Sequence, residues 1–199
     1  MLKSLTGFLD YDRDKLAALS ADQRIDYFEK RVRLVVINPL RRILATEIIV
    51  AGGESSAVLI FGVSLCCAIE ATGKFLTGGK GGNEQRFHAF LNRYMAPEFQ
   101  SQRLGSMSYG QALWLHFRNG LAHGFAVRHG GFEGTAQQPY FLVRSISGYA
   151  CLEVNPTLLL NDYFAGFERY LSDLRGAPAG DPLSADFSDV FETVFIRGE

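Results

Sequence analysis

Apolar residues recur three and four positions apart along most of the chain, which is the period of amphipathic helices. The pattern begins after Ser20, where Ser20 and Gln23 match a capping box. It predicts helices over 21–37, 40–50, 56–76, 84–95, 109–123 and 157–174. Pro39 is expected to interrupt or kink the first of them. The helix over 56–76 is apolar on nearly all sides, so we expect it at the centre of the fold.

The pattern changes after Gly124, where short β-prone runs alternate with glycine-rich turns. These runs are 125–128, 140–143 and 149–152, and they predict a hairpin or a three-stranded meander. The fold class is therefore mainly α, a bundle of about five helices with a small β insertion near the C-terminus. We place this single helical domain at 1–175, with the insertion at about 125–152.

The last segment, 176–199, begins with the linker-like run Gly176-Ala-Pro-Ala-Gly-Asp-Pro182. Its final part, about 186–196, places five apolar side chains on one helical face: Phe187, Val190, Phe191, Val194 and Phe195. We interpret it as an amphipathic acidic tail that docks either on the body or on a partner.

Composition and charge exclude several classes of protein. Hydrophobic residues make up 47% and charged residues 21% of the 199 residues, and this balance excludes a disordered chain, a collagen-like repeat and a small disulfide scaffold. The net charge of −1 conceals an uneven distribution, because 30–149 carries a balance of +7 and 150–199 a balance of −6. Arginine outnumbers lysine fifteen to five, which favours either a local anion site or ordinary solvated faces.

Neither a metal nor a cofactor is indicated. The three cysteines, Cys66, Cys67 and Cys151, lack the CxxC and His/Cys zinc spacings. The loop Gly78-Gly-Lys-Gly-Gly82 does not match a phosphate-binding P-loop. An odd cysteine count without a signal peptide is typical of a reducing cytosol, so we expect a cytoplasmic protein. The longest apolar run, Ala57 to Ile69, is too short to cross a membrane.

The candidate chemistry lies in the segment Leu113-Trp-Leu-His-Phe-Arg-Asn-Gly-Leu-Ala-His-Gly-Phe125. On an α-helix, His116, Asn119 and His123 form one stripe. Arg118 lies about 140° around the axis from His123, although its long side chain can swing toward the same end. Gly120 leaves space beside them for a close approach.

A cation, a titratable imidazole and an amide suit RNA cleavage, in which a 2′-hydroxyl attacks the neighbouring phosphate without a metal. Arg118 would stabilise the developing charge and His123 would transfer the proton. The alternative interpretation is structural. Arg118 and His123 would then be cations that favour the negative end of the helix dipole, with Asn119 orienting a satisfied His123.

The string Arg118-Asn-Gly-Leu-Ala-His123, at the end of an apolar helix in a helical domain, resembles the HEPN superfamily. The resemblance implies a bundle of four or five helices that dimerises so that two motifs face each other. It also implies a metal-independent endoribonuclease of toxin–antitoxin, phage-defence or RNA-processing systems. Arg118 and His123 would be the catalytic pair and Asn119 a supporting residue. Phe125 stands where a modified tyrosine often follows the motif in the HEPN toxins that are paired with nucleotidyltransferase antitoxins.

Further residues complete the predicted site. His116 is expected to support the pair from the same stripe. Glu70 is expected to face Arg118 or the cleft, or else to form a plain surface salt bridge. The basic segment supplies candidate contacts to RNA phosphates, led by Arg41, Arg42 and Arg128, with Arg86, Arg93 and Arg103 in reserve.

Three hypotheses follow. The first is an RNA-cleaving homodimer, with an antitoxin or another protein as a possible partner. The acidic tail adds the separate hypothesis that its negative charge covers the basic cleft and restrains activity. The second is a non-catalytic HEPN-like dimer that binds a partner or a nucleotide. The third is a helical protein in which the motif is a coincidence.

Overall fold

The computed structural model describes residues 12–46, 56–124, 127, 129–133, 138–178 and 180–198. Over these residues the protein is mainly helical with two small sheets, as the sequence predicted. The described part contains eight continuous helical stretches, so the predicted count of about five is wrong. Two short helices contain too few residues to give a periodic signal, and the C-terminal helix was predicted as a tail outside the bundle.

The helices and strands follow one another in a simple order. The helices are α1 (Arg13–Ala17), α2 (Ala21–Val32), α3 (Asn38–Thr46), α4 (Ser56–Leu76), α5 (Asn83–Tyr94), α6 (Glu98–Ser101), α7 (Tyr109–Ala112), α8 (Asn119–Gly124), α9 (Pro156–Gly176) and α10 (Pro182–Phe191). The strands are β1 (Arg103–Leu104), β2 (Met107–Ser108), β3 (Gly130–Phe132), β4 (Phe141–Ile146) and β5 (Tyr149–Val154). Three π-helical turns extend or join helices: π1 (Arg33–Ile37), π2 (Leu113–Arg118) and π3 (Glu192–Arg197).

The chain does not break at Pro39. Ser20 caps α2 with the predicted capping box to Gln23, and the helix then continues through π1 into α3. In π1 the N–H of Asn38 donates to the carbonyl of Arg33, five residues earlier. This wider turn relieves the clash that a proline ring makes with the carbonyl four residues before it. The predicted ends of these helices, at 47–55, lie outside the described residues.

Helix α4 runs through the centre of the core, as its apolar composition predicted. Phe61, Leu65 and Ile69 are fully buried in it. At Gly73 the backbone of α5 comes so close that a β-carbon would overlap the carbonyl oxygen of Arg86. Among the described residues, no helix is both long enough and apolar enough to span a lipid bilayer.

The sequence predicted a hairpin or a three-stranded meander, and the larger sheet contains the hairpin but has the strand order β3-β5-β4 instead of that of a meander. β4 and β5 form an antiparallel hairpin, whereas β3 pairs with β5 in parallel. A two-residue turn at Ser147 and Gly148 joins the hairpin, and both residues have positive φ. The sheet packs on the motif helix through Phe132, whose ring meets Phe117 edge-on at 5.0 Å. Because β3 carries only three residues, strand periodicity could not reveal its partner.

The C-terminal segment belongs to the core. Phe187, Val190, Phe191 and Phe195 are buried in the same cluster as the helices of the body. The rings of Phe187 and Phe191 contact Tyr27 and Phe28 of α2 and Phe75 at the end of α4. The tail residue Asp186 pairs with Lys80 at 2.8 Å. These contacts hold the tail against α2 and the end of α4, so they give no support to the idea that it covers the motif.

Candidate functional site

The motif lies on one continuous helix formed by α7, π2 and α8. Ser108 caps its start, where its hydroxyl accepts from the N–H of Gln111 at 3.1 Å. In π2 the N–H of Asn119 donates to the carbonyl of Trp114 instead of Leu115. A π-helical turn of this kind changes the angular position of every later residue relative to the earlier ones. It therefore offsets His116 from Asn119 and His123, which stay one turn apart within α8.

Arg118 lies at the centre of a polar cluster between the motif helix and α4. Its Nε and Nη2 donate to Oε2 of Glu70 at 3.0 and 2.7 Å. Its Nη1 donates to Oδ1 of Asn119 at 3.1 Å. The guanidinium carbon lies 4.8 Å from the centre of the Trp114 ring, within the range of a cation–π contact. Glu70 thus faces Arg118, one of the two alternatives that the sequence left open.

The Arg118–Glu70 ion pair is mostly buried. Only 14% of the Arg118 side chain and 18% of the Glu70 side chain are exposed. Water screens such a pair less than a pair on the open surface. Three of the five N–H donors of a guanidinium are used in these bonds, which leaves one donor each on Nη1 and Nη2 for an anion.

His123 lies beyond this cluster on α8 and its side chain is exposed. The Arg118 side chain does not extend toward His123; it packs toward Trp114, which lies four residues earlier in the chain. Long helical side chains point toward the N-terminus of their helix, and this explains the direction. The structure therefore brings Glu70, Arg118 and Asn119 into contact and leaves His123 separate on the following turn.

His116 does not join the cluster. Its side chain is buried, and its ring packs edge-on against His129 with the centroids 5.1 Å apart. His129 in turn contacts Tyr149 of β5 at 5.5 Å. The ring of His116 therefore faces the sheet, and its expected support of Arg118 and His123 stays a prediction. It anchors the sheet to the motif helix.

Most of the predicted RNA-binding arginines have partners within the chain. Arg41 stacks over Phe164 of α9 at 4.6 Å, and Arg42 is exposed on α3. Arg128 lies outside the described residues. The reserve arginines each contact another part of the chain: Arg86 the carbonyl of Gly79, Arg93 the carboxylate of Asp173, and Arg103 the carbonyl of Gln100. The contacts of Arg41 and of these three lie outside the Arg118 cluster, so they do not form one basic cleft around it.

Two neighbouring thiols lie on the side of α4 that carries Glu70. Cys66 is buried and Cys67 is exposed. Burial raises the pKa of both thiols, while the positive charge of Arg118 acts in the opposite sense. Both thiols are therefore protonated at neutral pH and are poor nucleophiles.

Trp114 is the site residue that sequence reasoning missed. Its side chain is buried, and its ring lies against the Arg118 guanidinium. Its position four residues before Arg118 was the available signal. Among the residues that the structure describes, no cluster of three or more His, Cys, Asp or Glu side chains could hold a metal ion.

Comparison with known proteins gives no relative. The chain matches no family model, no curated protein and no solved structure.

Proposed function

We propose that this protein is a metal-independent endoribonuclease of HEPN type that acts as a homodimer. Arg118 stabilises the phosphate at the cleaved bond, and His123 transfers the proton. The observation that carries the proposal is the fixed position of Arg118, which Glu70, Asn119 and Trp114 hold while two of its donors stay unused. A preorganised cation of this kind stabilises charge that develops in a transition state.

The remaining donors of Arg118 suit a phosphate. Nη1 and Nη2 are the two outer nitrogens of the guanidinium, and each keeps one N–H. Each remaining N–H can donate one charge-assisted hydrogen bond to a phosphate oxygen. Glu70 keeps the guanidinium in place and lowers its net attraction for anions, so the rest of the RNA must supply part of the binding energy.

The exposed imidazole of His123 is suited to proton transfer. Histidine accepts and donates protons near neutral pH, and an exposed ring on a helix is accessible to an RNA strand. Arg118 and His123 occupy successive turns of one helix. Two motifs related by a two-fold axis would therefore surround a phosphate with two cations and two imidazoles.

Apolar surface near the motif favours the dimer. α4 and the motif helix run antiparallel, because Glu70 meets Arg118 while Gly62 lies beside Leu121. Ile60 and Cys67 are exposed on α4, seven residues apart and thus on one face. Leu115 is exposed on the motif helix. A second copy would remove these side chains from water.

A specific observation also favours a second candidate, a non-catalytic HEPN-like module. Glu70 neutralises Arg118, and Arg86, Arg93 and Arg103 are engaged within the chain. In this alternative Arg118 and His123 hold a dimer, bind a nucleotide phosphate or contact an antitoxin-like protein.

Incubation of the purified protein with mixed RNA in EDTA tests the proposal. We expect cleavage with 2′,3′-cyclic phosphate ends, and a loss of activity in His123→Ala, which removes only an exposed ring. Arg13→Ala, an exposed arginine on α1, is the matched control and retains full activity. Cleavage that needs a divalent cation, or that His123→Ala retains, contradicts the proposal. Binding of RNA or nucleotide without cleavage favours the second candidate.

A further inference from the structure

The three-stranded sheet leaves the outer edge of β4 without a partner strand among the described residues. The N–H of Asn155 donates to the carbonyl of Tyr140, so Tyr140 and Asn155 form a hydrogen-bonded pair of the antiparallel ladder. The register of β4 and β5 is continuous from Phe141↔Val154 to Ile146↔Tyr149. Leu142, Arg144 and Ile146 therefore direct their backbone groups to β5.

The alternate residues direct their backbone groups outward. In an antiparallel ladder, neighbouring residues of a strand point their N–H and C=O groups to opposite sides. The outer edge accordingly presents the backbone groups of Phe141, Val143 and Ser145. The hydrogen bonds on the β3 side of β5 follow the same alternation. Leu152, which does not bond to β4, donates its N–H to the carbonyl of His129.

The edge lacks the features that usually prevent strands from associating. Natural edge strands are protected by lysine, proline, bulges or short length. β4 has six residues in unbroken register and contains neither proline nor lysine. Its one charge, Arg144, is balanced by Glu153 at 2.8 Å and Glu133 at 3.7 Å.

The hairpin also exposes apolar side chains on β4 and beside its turn. Val143 is 44% exposed, Ile146 52% and Tyr149 63%. All residues from 142 to 150 are exposed, so this end of the hairpin extends from the body. Covering these side chains would remove apolar surface from water.

We propose that the outer edge of β4 pairs with β4 of a second copy of this chain. A two-fold axis at Val143 places Val143 opposite the same residue of the second copy, and Phe141 opposite Ser145. Every outward N–H and C=O of these three residues then meets a partner. The two sheets join into one sheet of six strands, with β4 of each copy at its centre.

Side-chain placement favours a second copy over an unrelated strand. In this register Arg144 lies opposite Leu142 of the second copy, so like charges are not placed directly across from each other. Val143 packs against its own copy, and β-branched pairs stabilise antiparallel strands. This self-complementary pattern is what an isologous two-fold interface requires. The interface is separate from the motif helix and does not rest on the ribonuclease proposal.

Amide hydrogen exchange of the full chain at low and high protein concentration tests this inference. We expect the amides of Leu142, Arg144 and Ile146 to be protected at both concentrations, because they bond to β5. The amides of Val143 and Ser145 should become at least about tenfold more protected at high concentration. Protection of Val143 and Ser145 that does not depend on concentration would show that the chain covers its own edge, and would overturn the inference.

A charged variant supplies the second test. Val143→Lys places two lysines opposite each other and should abolish the concentration-dependent protection and lower the oligomeric mass in light scattering. Val35→Lys makes the same substitution at an exposed valine of π1. It should leave the concentration-dependent protection and the oligomeric mass unchanged. The inference is overturned if Val143→Lys associates like the native chain. It is likewise overturned if association needs a different added protein.

Discussion

At the scale of single residues, Glu70 determines where the Arg118 guanidinium lies. We expect Glu70→Ala to lower the free energy of unfolding by about 1.5–3 kcal/mol, because a half-buried charge loses its hydrogen-bond partner. Glu70→Gln, which keeps an acceptor, should cost less. Glu84→Ala removes an exposed carboxylate on α5 and should change stability by less than about 0.5 kcal/mol. Urea unfolding measures all three, and equal values for Glu70→Ala and Glu84→Ala would disprove this role.

Glu29 gives a pH-dependent contribution. Burial acts to raise its pKa, but hydrogen bonds from Arg175 and Arg33 outweigh burial and hold the pKa below its ordinary value of 4.5. A carboxylate whose pKa is lowered by folding stabilises the protein above its unfolded pKa, and this contribution is lost as the pH falls through the folded pKa. Glu29→Gln should therefore cost roughly 0.5–1 kcal/mol at pH 7, a value limited by solvent screening.

This difference should shrink as the pH falls from 7 to 3, because the contribution is lost as the pH falls toward and through the lowered folded pKa. Urea unfolding of both proteins at the two pH values checks it. Asp189→Asn, at an exposed position of α10, is the control and should change little at either pH. A deficit of Glu29→Gln that is the same at pH 3 and pH 7 would mean that the contribution is not electrostatic.

The site was only partly predictable from its residues. The motif string located Arg118 and Asn119, and the apolar helix before it supplied Glu70 as a candidate partner of Arg118. The sequence did not predict the packing of His116 on His129, because no residue pattern indicates a π-helical turn. Trp114 was missed because a buried tryptophan at helical spacing is usually interpreted as core alone.

At the scale of elements, the close contact between α4 and α5 depends on one glycine. Gly73→Ala should lower the free energy of unfolding by about 1–3 kcal/mol, because the added methyl overlaps the carbonyl of Arg86 and the helices must separate. Gly176→Ala is the matched control at the end of α9, where a β-carbon meets no neighbour. It should be neutral or stabilising, since alanine favours a helix more than glycine does. Thermal or urea unfolding distinguishes the two, and equal effects would contradict the packing.

The long helices were predictable and the connections between them were not. Ser20 and Ser108 predicted the starts of their helices, because each forms a capping box with a glutamine three residues later. Pro39 predicted an interruption or a kink. The π1 turn relieves the clash of the proline ring with the backbone, and the local sequence does not indicate such a turn. The parallel pairing of β3 with β5 joins residues more than twenty positions apart, beyond the reach of a local pattern.

At the scale of the whole molecule, the tail is part of the core. Four apolar side chains of 187–195 lie against α2 and α4, so the amphipathic pattern described a core helix. One of its acidic residues, Asp186, pairs with Lys80 in the loop between α4 and α5. A local pattern gives the apolar face of such a helix but does not give the surface that receives it.

The central claim is that Arg118 and His123 act together in one cleavage step. Single-turnover rates of RNA cleavage in EDTA, for the native protein, Arg118→Lys, His123→Ala and the double variant, test it most directly. We expect His123→Ala to be slower by about 10²–10⁴-fold, and the double variant to be no slower than the worse single variant, as for residues that act as a unit. Circular dichroism and urea unfolding verify that each variant is folded. Native protein that cleaves no RNA, or variant effects that simply multiply, would contradict the claim.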